Sequence, residues 1–294
     1  MTNLVKLSVT LSLIFSINNV YADREAFEST YVPLAPEKIV IQNASIYDGD
    51  GGEFFETDVL VEDGKIIAIG KDLPFSNEFR VIDATGKWVT PGIIDIHSHM
   101  GVYPAPGVRT SSDGNEATSP VTADVWAEHS IWVQDPQYAL ALTGGVTAFH
   151  ILPGSANLIG GRGVTVKNLQ RVTINSMKFP DAPHSLKMAC GENPKRVYGN
   201  RGQAPSTRMG NAAGYRKSWI QAEGYLRRLN EYEEKSDEAK ELEYAPTRDL
   251  EMETLAGVLK GEILVHNHCY RADEMATMIA VSYTHLTLPT SYAV

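Results

Sequence analysis

Between residues 38 and 89, apolar and polar positions alternate in short runs. "KIVIQNASIY" is followed by "DVLVEDGKIIAIG", where Asp63-Gly64 separates two β-rich stretches, and "RVIDATGKWVT" then leads to Pro91. Period-two alternation broken by turn residues predicts a small β-module with a hairpin at Asp63-Gly64. After Pro91 the texture changes. Single apolar runs at 93–99, 146–152, 164–167, 186–190 and 263–268 read as buried strands separated by longer segments. Trp219, Ala222, Leu226 and Leu229 recur at helical spacing in a charged background, and a second helix is predicted over 248–260. Strands alternating with helices imply a parallel sheet, open or closed.

One strand carries unusual chemistry. In "PGIIDIHSHMG" successive side chains alternate between faces, so Ile93, Asp95, His97 and His99 share one side while Ile94, Ile96 and Ser98 take the other. The apolar side is expected to pack outward under helices. The two imidazoles lie two strand rises apart, close enough to bind one divalent ion from one side, and neutral imidazole is a good zinc ligand near pH 7. Standing alone, such a pair is more often two histidines satisfied by local hydrogen bonds.

Both ends of the chain read as something other than fold. At the N-terminus Lys6 supplies a positive start, residues 7–17 an apolar stretch, and Val20-Tyr21-Ala22 a small-x-small cleavage site, so a signal peptide cut after Ala22 is expected. The apolar run is shorter than the roughly 20 residues a membrane span needs. A secreted or periplasmic protein without a membrane anchor follows. At the other end, "VSYTHLTLPT" resembles the translation of a sequencing adaptor and breaks into the helix begun at "RADEMATMIA", so residues 281–294 read as a non-native tail.

With 43% hydrophobic and 21% charged residues, the chain is of ordinary globular composition. Its net charge of -10 and lack of a Lys/Arg run argue against nucleic acid and favour a small molecule or peptide as partner. Cys190 and Cys269 form no metal-type cluster, and two separate buried thiols are expected.

The motif "VTPGIIDIHSHMG" after a β-module, "GGVTAFH" further on and the later strand "ILVHNHCYRADE" together resemble the amidohydrolase superfamily, closest to its secreted, imidazolonepropionase-like members. The segments "DGNEATSPVTADVWA", "PGSANLIGGRG" and "KMACGENPKRVYG" share that likeness. The resemblance implies an α/β fold: a (β/α)8 TIM-like barrel, with a small β-sandwich module, holding one or two divalent metal ions, zinc foremost. The implied layout is a signal peptide (1–22), the β-sandwich module (36–90), a partial barrel (91–280) and the tail (281–294). At 190 residues the barrel is short of the about 250 a closed one takes, so the natural protein is expected to continue.

Carried over by position, His97, His99 and His268 match metal ligands, with His266 as a neighbour. The anionic ligand between them is either Lys187, carboxylated and bridging, or Glu192 at the strand end; both stay open. Asp95 is placed to orient a ligand imidazole or to make a barrel-floor hydrogen bond. Asp113, Glu116, Arg162 and Tyr270 are candidate substrate contacts, whereas His129, His150 and His184 read as core or surface residues. The general-base Asp of the superfamily is expected beyond Ala280. The implied reaction is hydrolysis of a C–N bond in an amide, peptide or cyclic amide by metal-activated water, this chain being an incomplete version. A single-metal carbohydrate N-deacetylase using Glu192 and a non-catalytic secreted barrel are the alternatives.

Overall fold

Asp63 and Gly64 adopt φ of 52° and 72°, the two consecutive left-handed residues of a tight type I′ hairpin. They join β2 (Glu53–Glu62) to β3 (Lys65–Gly70) in antiparallel register. The computed structural model describes residues 28–35 and 37–285, so the expected signal peptide lies outside the described residues. β1 (Ile39–Tyr47) runs antiparallel to β2, and the short β4 (Arg80–Asp83) and β5 (Trp88–Val89) run parallel to β1. Ala44, Ile46, Val59 and Ala84 form a small core on this sheet. Among the described residues the module is this one five-stranded sheet.

A second sheet holds β6 (Ile93–Ser98), β7 (Val146–Ile151), β8 (Ile159–Lys167), β9 (His184–Ala189) and β10 (Ile263–His268), in the order β10-β9-β8-β7-β6. The five expected strands are present, β8 starting earlier than the pattern suggested. The sheet is mixed, which corrects the uniformly parallel arrangement expected. β6 and β7 are parallel, as are β9 and β10, but β8 is antiparallel to both neighbours. The connections explain this. Between β6 and β7 lies α1 (Gln137–Thr143), and between β9 and β10 lie α2 (Glu192–Gly199), α3 (Arg208–Glu233), α4 (Asp237–Glu241) and α5 (Leu250–Leu259). The segments 152–158 and 168–183 contain no α-helix, and a chain without a crossover element reverses instead of returning parallel.

Helix α3 begins at Thr207, whose side chain accepts the Gly210 N–H, and buries Tyr215, Trp219, Ala222, Tyr225 and Leu229. Helix α5 is capped by Asp249, which accepts the Met252 N–H, and such a cap contributes about 1 kcal/mol. Both helices pack with Leu186 and Met188 of β9 and Ile263 of β10 into the larger core. A second core, including Phe149, Ile151 and Val166, lies between β7, β8 and Tyr138 of α1. At the sheet edge, Ile94 and Ile96 of β6 are 60% and 69% exposed, so the apolar face of this strand is not covered by helices as expected.

The structure also corrects the reading of the cysteines. Parallel pairing sets His268 beside Ala189, so the next residues on each strand, Cys190 and Cys269, fall side by side with Cα atoms 5.1 Å apart and form a disulfide. Finally, α6 (Ala272–His285) follows β10 and runs on through residues 281–285, past the point where the sequence pattern breaks.

Candidate functional site

Pairing of β9 with β10 puts His266 opposite Lys187 and His268 opposite Ala189. Lys187 is fully buried, yet its Nζ reaches across the sheet to lie 2.8 Å from Nε2 of His97. Around that contact the rings of His97 and His99 are 5.5 Å apart, and those of His97 and His268 are 6.4 Å apart. His266 joins from the side, stacked on His150 at 4.5 Å. Residues far apart in the sequence thus meet at one end of the sheet, where strand alternation points every second side chain to the same face.

Two of these histidines are oriented through Nδ1. Nδ1–H of His99 donates to the Leu152 carbonyl at 2.8 Å, which fixes the tautomer because a carbonyl only accepts, and leaves the Nε2 lone pair free. Nδ1 of His268 lies 2.8 Å from Oγ of Ser155. Asp95 accepts the backbone N–H of His97 at 3.1 Å rather than holding an imidazole. His150, read from the sequence as an isolated residue, sits between Thr165 Oγ1 at 2.8 Å and Ser185 Oγ at 2.6 Å.

Burial keeps this cluster neutral. It pulls His97 down to about 4, helped by the nearby Lys187, His99, His268 and His266, and lowers His99, His266 and His268 in the same direction. Burial also lowers the Lys187 amine to about 8. A lysine that loses its proton this easily is nucleophilic near neutral pH.

The other expected residues fall elsewhere. Glu192 is exposed in the first turn of α2. Arg162 is 3% exposed, its guanidinium lying over the Trp126 ring and its Nε–H donating to Thr254, so it is built into the fold. Asp113 and Glu116 line a neighbouring cleft of about 530 Å³ together with Asp124 and Trp126. Tyr270 does reach the cluster, its ring 4.6 Å from that of His268. Tyr103, whose ring stands edge-on to His99 at 5.8 Å, and Ser155 were not foreseen. Both sit in loops with no periodic pattern, although Ser155 belongs to the glycine-rich "PGSANLIGGRG" that the sequence singles out.

Among the described residues, no three His, Cys, Asp or Glu donors already stand close enough to hold an ion. Two imidazoles sharing one tetrahedral zinc would have ring centres about 5 Å apart, given N–Zn distances of about 2 Å. The separations of 5.5 and 6.4 Å exceed this modestly. The donors are of the right kind, neutral imidazoles of which His99 and His268 are oriented through Nδ1, so small side-chain movements suffice and the residues fit a divalent metal.

No family model matches the chain. An amidohydrolase from Hapsidospora irregularis, tasK, is 36% identical over 249 residues, covering 79% of this chain and 25% of that protein. A solved amidohydrolase structure from Thermotoga maritima superposes with a TM-score of 0.76 at 38% identity, covering 84% of this chain and 62% of that one. A dihydroorotase from Lactobacillus helveticus is 46% identical over 74 residues, 25% of this chain and 16% of the enzyme. The chain therefore spans a quarter of the Hapsidospora irregularis relative and under two thirds of the Thermotoga maritima protein.

Proposed function

We propose that this chain, which belongs to the amidohydrolase superfamily, carries the metal-binding side of a site that hydrolyses C–N bonds in small amides, peptides or cyclic amides. The observation that carries the reading is the placement of the buried Lys187 Nζ against Nε2 of His97, among His99, His266 and His268. His97, His99 and His268 would hold one or two divalent ions, zinc foremost, with Lys187 as the anionic ligand. Bound there, such ions activate water and polarise a carbonyl.

The chain's own residues prepare that chemistry. With its proton lost, the Lys187 amine can attack carbon dioxide. A new N–C bond forms as one C=O π bond of carbon dioxide gives its electron pair to oxygen, a proton leaves the nitrogen to solvent, and the neutral amine becomes a carbamate anion that could serve as a metal ligand. Its full burial beside the histidines favours Lys187 over the exposed Glu192 for this part, since burial disfavours an unmodified ammonium, which among the described residues has no carboxylate beside it in the cluster. Leu152 and Ser155 hold His99 and His268 with Nε2 outward.

The relatives' names supply the substrate class: amidohydrolase and dihydroorotase both denote cleavage of amide-type C–N bonds. A secreted or periplasmic location goes with the reading, and the Cys190–Cys269 disulfide supports it. The test is zinc stoichiometry by elemental analysis together with intact mass. One or two zinc ions, lost in His97→Ala with His99→Ala, and the added mass of one carbon dioxide on Lys187 are expected. Hydrolysis is then assayed on the zinc-loaded chain with dipeptides, N-acyl amino acids and cyclic amides. Absence of bound zinc from the wild-type chain would refute the proposal.

A further inference from the structure

Tyr103 is anchored by a chain of contacts that leads back to the metal histidines. The Asn115 amide is oriented from behind, because its Oδ1 accepts the Ala156 N–H at 3.0 Å, so its Nδ2 is the group that faces outward. Nδ2 donates to the Tyr103 oxygen. The phenol's own proton is therefore not used at Asn115 and is free for another acceptor. The space is made by two glycines: a Cβ at Gly114 would collide with the Tyr103 ring, and one at Gly154 with the Asn115 amide and the Tyr103 hydroxyl. The Gly154 N–H in turn donates to the Gly114 carbonyl at 2.6 Å. The ring stands edge-on to His99 at 5.8 Å, and Tyr103 is 38% exposed, so the side chain borders both the histidine cluster and solvent.

The loop 152–156 ties these parts together. Its Leu152 carbonyl holds His99, its Ser155 hydroxyl holds His268, and its Ala156 N–H holds Asn115. A hydroxyl whose oxygen is pinned by an amide and whose proton points away is a fixed donor, and a fixed donor helps most where negative charge develops during a reaction. We propose that the Tyr103 hydroxyl, set by Asn115, donates a hydrogen bond to the carbonyl oxygen of the amide under attack. This rests on the reading of the histidine cluster as a metal-dependent hydrolase site, and it assigns the donor for the oxygen that becomes negatively charged.

Methylphosphonate, a tetrahedral oxyanion, serves as the probe. Its affinity for the zinc-loaded 294-residue chain is measured by titration calorimetry for the wild type, Tyr103→Phe and Asn115→Leu, with zinc content and thermal unfolding measured on each. A hydrogen bond to a charged group makes a roughly ten- to hundredfold difference in affinity. Tyr103→Phe is expected to keep wild-type zinc content and unfolding temperature while binding methylphosphonate about that much more weakly. Asn115→Leu, which releases the phenol without altering it, is expected to weaken binding in the same direction. Unchanged affinity in Tyr103→Phe overturns the inference, as does zinc uptake by the wild type with no methylphosphonate binding. Failure of the wild type to take up zinc overturns the reading of the site, and the inference with it.

Discussion

Ser155, in the loop after β7, places its hydroxyl 2.8 Å from Nδ1 of His268 at the end of β10. The two residues are 113 positions apart, and their contact joins the loop that also holds His99 to the far edge of the sheet. The contact orients the imidazole without adding to the core, so its removal separates metal affinity from stability. Ser155→Ala is expected to weaken zinc binding roughly tenfold, the lower end of what partners of metal-bound histidines contribute. Unfolding in urea should shift by less than about 1 kcal/mol. Competition with a chelator of known affinity checks the first and denaturant titration the second.

His150 gives the fold a defined acid sensitivity. It is 8% exposed, and burial holds it down at about 4 from an ordinary 6.5. Between those values the unfolded chain binds the proton and the folded chain does not. Stability therefore rises with pH across this window and falls as pH drops from 6.5 to 4, by about 3 kcal/mol from this residue. In urea titrations at successive pH values, His150→Asn should show a correspondingly shallower loss over the same window. A loss as steep as that of the wild type would show that His150 is not the titrating group.

The parts of this protein that were legible in the sequence are those set by local period. Trp219, Ala222 and Leu229 face the core because a helix repeats every 3.6 residues, and Asp63-Gly64 turns the chain because few residue pairs tolerate two positive φ angles. His97 and His99 could be placed on one face by strand alternation, whereas His268 was matched to them only through the family resemblance. What depends on register or on a missing helix was not legible. The antiparallel course of β8 follows from connections without a crossover, and the Cys190–Cys269 pairing follows from the match of β9 with β10. Ser155, Asn115 and Tyr103 reach the site through loop geometry, which leaves no periodic trace.

The disulfide closes the ends of β9 and β10 directly beside His268. Cross-linking residues 79 positions apart removes loop entropy from the unfolded chain, about 4 kcal/mol in the chain-entropy model. Reduction by a phosphine, or Cys269→Ser, is expected to lower the unfolding temperature by several degrees in differential scanning calorimetry. A phosphine should leave the unfolding of Cys269→Ser itself unchanged. If the reductant lowers both equally, its effect does not pass through this bond.

Lys187 supplies the sharpest contrast, because its expected effects on stability and on metal binding have opposite signs. Fully buried, its amine is lowered from 10.5 to about 8 by loss of solvation. In metal-free protein below pH 8 the folded state therefore carries a desolvated ammonium that costs about 3 kcal/mol. Between pH 8 and 10.5 the unfolded chain still binds this proton while the folded chain has released it, so stability rises across that window. Lys187→Met fills a similar volume without charge. It is expected to raise the stability of the metal-free chain at pH 7 by up to about 3 kcal/mol and to abolish the rise between pH 8 and 10.5. The same substitution removes the proposed anionic ligand and should reduce zinc content in elemental analysis. A residue serving the fold alone would lose stability on removal. One kept for the metal loses zinc while the metal-free protein becomes more stable, and unfolding measured with and without zinc distinguishes the two.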